Sequence, residues 1–186
     1  VYGTLPINLV FYVARALERN SYGQVYLVGR QLMAVFDLLA IVLTFLLGRA
    51  LYGRRVGLIA AFLAGCTAFL IQQAHFFTVD SAANFFVVLF LLAAVPMMRT
   101  GSARSVALAG GALGLALASK VSIWPLVPLA LLALAMADRR RGQLRDRDGW
   151  ARFALEALVL GLSTFFALRI AQPDMWVGPA WSALAS

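Results

Sequence analysis

The chain has 186 residues, of which 62% are hydrophobic and only 13% are charged, and its mean hydropathy is +0.85. Soluble domains are about half apolar and about a quarter charged, so the composition excludes an ordinary soluble enzyme domain and a disordered tail. The single cysteine, Cys66, excludes a disulfide within the chain. The net charge of +8 comes from basic residues between long apolar stretches, which is typical of a membrane protein without a nucleic-acid partner.

The first apolar segment, residues 5–19, predicts an amphipathic helix that lies in the membrane interface. Its apolar residues recur at helical spacing: Leu5, Leu9, Tyr12, Val13, Ala16 and Leu17. The segment is too short to cross a bilayer, and charged residues gather near its end. Residues 20–23 then form a break, with Tyr22 and Tyr26 at headgroup depth. We also expect the chain to be a fragment of a longer protein, because Val1 is not a start methionine.

Six apolar runs follow, and they predict an all-α, polytopic bundle of about six spans. The runs cover residues 32–48, 56–72, 82–98, 105–118, 123–137 and 151–170. An unbroken helix over 105–137 would be roughly 50 Å long, beyond a hydrocarbon core of ~30 Å, so it must break at the polar residues 119–122. The whole chain is therefore one membrane domain, with an external interfacial segment at 1–29 and the bundle at 30–186.

The arginines predict the orientation of this bundle. Most of them fall in the loops at residues 49–55, 99–104 and 139–152, which marks that side as cytoplasmic. The N-terminal segment, the 75–80 link, Lys120 and the residues after 171 then share the external face.

Charged groups near hydrocarbon are costly unless they pair or face a polar cavity, so the rare ones here are candidate functional residues. Asp37 lies seven residues after Arg30 on the same helix face. The two side chains either pair and hold the helix in register, or Arg30 binds an anionic ligand while Asp37 orients it.

The link between the second and third spans carries His75 and Asp80. Either Thr78 or Asp80 caps a helix that starts near Ser81, or His75 and Asp80 together form a binding site at the mouth of the bundle. No spacing of His, Cys, Asp or Glu that is typical of a metal site occurs in the sequence.

Lys120 is predicted at the external break, where it either snorkels or serves a site. Gly110, Gly114 and Ala118 form a face of small residues that allows close helix contact and would hold Lys120 in place. We expect two prolines, at positions 125 and 128, to bend the span that follows.

Short motifs follow one another in a definite order: Tyr2-Gly3-Thr4-Leu5-Pro6, Arg30-Gln31-Leu32, Thr78-Val79-Asp80, Ala118-Ser119-Lys120 and Arg169-Ile170-Ala171-Gln172-Pro173. Their order and spacing resemble the polytopic, lipid-sugar-dependent glycosyltransferases of the GT-C superfamily, which include the dolichyl-phosphate-mannose protein mannosyltransferases. The nearest resemblance is to the bacterial YYY-domain membrane protein family.

The resemblance implies an enzyme of the bacterial inner membrane. It would transfer a sugar from a polyprenyl-phosphate-linked donor to an acceptor on the external face, without a cofactor. The catalytic acid of such enzymes lies in the first external loop, which would precede Val1 in this chain. The candidate substrate-binding residues are Arg30, His75, Asp80, Lys120 and Arg169. Cations at headgroup depth would neutralise the charge that develops on a lipid phosphate.

A second hypothesis stays open at this point. The same bundle would serve as a transporter or a lipid-binding protein if Arg30, Asp37 and Lys120 lined a substrate path through it.

Overall fold

The computed structural model describes residues 3–19, 21–67, 77–140, 142 and 147–172. In these ranges the chain folds into α-helices and a short 3-10 turn, and it contains no strand. The helices are α1 (Leu5–Ala16), α2 (Tyr22–Tyr52), α3 (Arg54–Gly65), α4 (Val79–Thr100), α5 (Ala103–Ser119), α6 (Leu126–Arg140) and α7 (Arg147–Ala171), and the 3-10 turn is Val121–Ile123. The all-α class predicted from the sequence is confirmed.

Four helical segments in the described part of the chain are long and apolar enough to cross a membrane. They are α2, α4, the 3-10 turn with α6, and α7. The helix α5, at the position of the fourth predicted run, is apolar but has only 17 residues. The second predicted run begins in α3 and continues past Thr67 into residues outside the described part.

The helix α2 is longer than the sequence pattern predicted. It begins at Tyr22 rather than near Leu32, and the Ser21 N–H donates to Gln24 Oε1 at its start. Its 31 residues span about 46 Å at 1.5 Å per residue, which exceeds a hydrocarbon core of ~30 Å. Arg30 therefore lies inside a continuous helix, and the predicted break at 20–23 extends too far, because Tyr22 and Gly23 are already helical.

Contacts between helix ends fix the directions of the helices. Arg99 Nη2, near the end of α4, donates to the Ala50 carbonyl near the end of α2 at 2.6 Å. Both residues lie near the C-terminal ends of their helices, so α2 and α4 are parallel. Two contacts give the direction of the other pair: Thr164 Oγ1 of α7 donates to the Gly110 carbonyl of α5 at 3.1 Å, and Gln172 Nε2, just after α7, donates to the Ala118 carbonyl at 2.7 Å. Contacts therefore advance along both helices in the same direction, and α5 and α7 are parallel.

The bundle consequently has two different ends. Because α2 is parallel to α4 and α5 to α7, the arginine-rich turns meet at one end, here called the basic end: residues 49–55, 99–104, 139–140 and 147. The opposite end, here called the site end, contains residues 3–4, 77–81, 118–123 and 172. This is the separation that the alternating spans predicted.

The predicted face of small residues on α5 packs closely against α7. A Cβ atom added at Gly114 would lie 2.4 Å from the Thr164 carbonyl oxygen, and one at Gly110 would lie 2.0 Å from Ser163 Oγ. Ala118, the third member, is fully buried. The two helices thus touch backbone to backbone, which only residues without a larger side chain allow.

One side of α1 packs against the bundle. The helix α1 buries Pro6, Val10 and Ala14, a narrow stripe one helical turn apart, whereas Tyr12 and Leu17 are 64% and 56% exposed. This narrow buried face is enough to hold α1 in place, because α1 is short and packs against α2, α4 and α5 with one side.

The prolines at positions 125 and 128 lie where the 3-10 turn of this span changes to α6. Pro125 precedes α6 and Pro128 lies in its first turn, where a backbone N–H has no partner within the helix to lose. Both prolines therefore favour the start of the helix.

The outer surface of the bundle is apolar, as a surface in contact with lipid requires. Large side chains on α7 such as Leu155, Leu158 and Phe166 are more than half exposed. Water would oppose so large an exposed apolar area, whereas hydrocarbon does not.

The close contact of α5 and α7 predicts an asymmetry between neighbouring glycines. Gly114→Ala should lower stability by about 1–3 kcal/mol, because its Cβ meets a backbone carbonyl that cannot rotate away. Gly111→Ala should leave stability unchanged or raise it, because no atom lies within 4 Å of a Cβ there. Thermal unfolding of the two variants in detergent measures the difference, and equal midpoints would contradict the packing.

Candidate functional site

The end of α5 presents Lys120 to the start of α4. Lys120 adopts an extended backbone, with φ −153° and ψ 112°, and so ends the helix at the predicted break. Its Nζ donates to Asp80 Oδ1 at 2.5 Å, and the two side chains are 33% and 34% exposed. The helix α4 begins at Val79, so Asp80 lies in its first turn rather than at a cap near Ser81. A negative charge in the first turn also interacts favourably with the positive end of the helix dipole.

Asp37 binds the same segment of α4 from the other side. Ser81 Oγ donates to Asp37 Oδ2 at 2.9 Å, and Asp37 is only 6% exposed. The predicted pairing of Arg30 with Asp37 is therefore wrong, because the carboxylate faces α4. The Arg30 guanidinium carbon instead lies 6.0 Å from the centre of the Tyr26 ring, one helical turn away. Asp37 is thus buried where α2 packs against α4.

Two contacts from distant parts of the chain hold the end of α5. Gln172 Nε2 donates to the Ala118 carbonyl at 2.7 Å, and the Gly3 N–H donates to the Ser119 carbonyl at 3.1 Å. The last carbonyls of a helix have no partner within it, so these donors satisfy groups that would otherwise be buried unpaired. Gly3 cannot carry a side chain here, since a Cβ would lie 1.9 Å from the Ala118 oxygen.

The site end thus unites segments that are far apart in sequence. Sequence reasoning missed the roles of Gln172 and Gly3, although both lie in motifs that supported the resemblance. The signal was present in the order of the motifs, but the partners of an amide or a backbone N–H cannot be read from one sequence.

The other predicted site residues lie as follows. Arg169 is in the last turn of α7, at the site end. Arg30 follows Gly29, where a Cβ would lie 2.8 Å from the Phe77 ring, so this part of α2 packs against the segment that leads to Asp80. His75 lies outside the described residues. Among the residues that are described, no group of three or more His, Cys, Asp or Glu side chains is able to hold a metal ion.

An apolar groove of about 540 Å³ opens between α1, α5 and α7. It is lined by Leu5, Asn8, Leu9, Tyr12, Gly111, Leu115, Ala167, Ile170 and Ala171. The groove reaches Ala171, the residue before Gln172, and thus approaches the site end from the lipid-facing side. The lack of a side chain at Gly111 leaves its floor open.

Comparison with known protein families identifies a similarity over most of the chain. A family model described as dolichyl-phosphate-mannose-protein mannosyltransferase matches residues 22–166, from the first residue of α2 to near the end of α7. The matched range includes Arg30, Asp80 and Lys120, whereas Gly3 and Gln172 lie outside it. No curated protein and no solved structure matches the chain.

The contact between Gln172 and Ala118 predicts a large effect for a small side-chain change. Gln172→Ala should cost about 1–3 kcal/mol of stability, because it leaves the Ala118 carbonyl buried without a donor. Gln172→Glu should be equally damaging, since an ionised carboxylate cannot donate. Thermal unfolding in detergent measures both, with Gln31→Ala on the exposed surface of α2 as the matched control. Equal midpoints for Gln172→Ala and Gln31→Ala would contradict this role.

Proposed function

This chain belongs to the dolichyl-phosphate-mannose-protein mannosyltransferase family, and we propose that it transfers a sugar from a polyprenyl-phosphate-linked donor to an acceptor on the external face of the membrane. Membership makes it a membrane glycosyltransferase of the GT-C type. The observation that carries the finer proposal is the Lys120–Asp80 pair, partly exposed at the end of an apolar bundle and close to an apolar groove.

The chemistry of the leaving group requires cations at this depth. When the bond between the sugar and the lipid phosphate breaks, negative charge grows on the phosphate oxygens, and fixed donors lower that barrier. Lys120 is held by Asp80 yet a third exposed, so it is oriented and still accessible. Arg30 presents a planar fork that suits a phosphate, and Arg169 adds positive charge at the same end.

The groove between α1, α5 and α7 is the place for the isoprenoid chain of the donor. Its lining is apolar apart from Asn8, and it opens toward lipid while ending beside Ala171. A donor that enters from the bilayer along this groove would bring its phosphate to the site end. The helix α1 forms one wall of the groove, as expected of a segment that lies in the membrane interface.

The acceptor side needs a base that removes a hydroxyl proton. By the resemblance, that base is an acid in a loop that precedes Val1. Asp80 is the proposed helper that orients the sugar or the acceptor, and His75 is its proposed neighbour. The external position of the site end is supported by the arginines of the basic end, which are typical of the opposite, cytoplasmic side. The bacterial inner membrane is proposed from the resemblance alone.

Removing either cation should abolish most of the transfer. Lys120→Ala and Arg30→Ala should each lower the rate of sugar transfer by about tenfold to a thousandfold, because the phosphate loses a fixed positive partner in the transition state. The measurement is transfer of labelled mannose from polyprenyl-phosphate-mannose by membranes that contain the full-length protein.

Arg104→Ala, which removes an exposed arginine at the basic end, is the matched control and should retain wild-type transfer. Thermal unfolding of each variant separates loss of chemistry from loss of folding. Wild-type rates for both Lys120→Ala and Arg30→Ala would overturn the site assignment.

A further inference from the structure

Asp37 is a costly residue that the proposed chemistry leaves without a role. It lies in a span, is only 6% exposed, and shares α2 with the buried apolar residues Met33 and Phe36. Ser81 satisfies Oδ2, whereas Oδ1 has no hydrogen-bond partner among the described residues. A leucine would fill such a position without the cost of burying a carboxyl group.

The hydrogen bond of Asp37 acts directly on the site. Ser81 is 2% exposed and follows Asp80 in the first turn of α4. Adjacent helical residues are rigidly related, so a bond that fixes Ser81 against α2 also fixes the rotation of that turn. The direction of Asp80 toward Lys120 depends on this rotation.

We infer that Asp37 and Ser81 are positioning residues, which hold Asp80 so that the Asp80–Lys120 pair is set for the lipid-phosphate step. This inference rests on the proposed function. The four residues form one continuous series. Asp37 and Ser81 are joined by a hydrogen bond, Ser81 and Asp80 are adjacent in the chain, and Asp80 and Lys120 form an ion pair. Neither Asp37 nor Ser81 needs to touch the substrate.

Kinetics with the full-length protein test the inference. Ser81→Ala and Asp37→Leu should lower kcat for transfer from polyprenyl-phosphate-mannose by about tenfold to a hundredfold, with little change in KM. The reason is that a misplaced cation stabilises the transition state less but changes substrate binding little. Asp37→Asn should recover most of the rate, since its amide oxygen still accepts from Ser81.

Thr164→Val provides the matched control. It removes another hydrogen bond between two helices, from Thr164 Oγ1 to the Gly110 carbonyl, without contact with Asp80. This variant should lose thermal stability and keep the wild-type kcat. If Asp37→Leu keeps the wild-type kcat at a temperature where it is folded, the positioning role is overturned.

A second measurement does not depend on activity. The coupling between Asp80→Asn and Lys120→Met, measured as non-additive shifts of the thermal midpoint, should fall by about half or more when Asp37 is replaced by leucine. Unchanged coupling would overturn the inference even if sugar transfer is lost. Wild-type transfer by both Lys120→Ala and Arg30→Ala would instead overturn the proposed site, whereas the coupling tests the positioning of Asp80 independently of transfer.

Discussion

The end of α5 is the constraint on which the site end depends. A helix that stops inside an apolar bundle leaves carbonyl groups that neither water nor lipid is able to satisfy. Here the donors come from Gln172 and Gly3, and the residue that leaves the helix, Lys120, turns to Asp80. A backbone requirement therefore draws the chain before α1, the start of α4 and the residue after α7 to one place. The ion pair sits at that place because the helix ends there.

The two ends of the bundle handle charge in different ways. At the basic end most arginines are exposed, and Arg99 reaches only a backbone carbonyl. Such residues suit a topology signal, since each needs no particular partner. At the site end the charged and polar groups are fewer but bound to named atoms on neighbouring helices. Fixed partners lower the reorganisation that a developing charge demands, which is the property that catalysis of phosphate departure needs.

The sequence predicted the features that depend on length and on local spacing. The break at Lys120 follows from an apolar run too long for the bilayer, and the contact of Gly114 with α7 follows from small residues one turn apart. The pairing of Arg30 with Asp37 failed because seven residues place two side chains on one face but about 10.5 Å apart along the axis. Ser81 is a nearer partner, and only the packing of α2 against α4 reveals it. The start of α2 was missed because the less apolar residues 22–31, which precede the first apolar run, resemble a loop in sequence although the helix extends through them.

The contacts at the site end depend on different sets of helices. The Asp37–Ser81 bond involves only α2 and α4, and the Asp80–Lys120 pair also requires the end of α5. The Ala118 carbonyl, however, takes its donor from Gln172, which follows the last turn of α7. Since α5 and α7 are in backbone contact, the packing of α7 both covers the face of small residues and satisfies the end of the helix that precedes Lys120. The position of α7 thus couples the stability of the bundle to the geometry of Lys120.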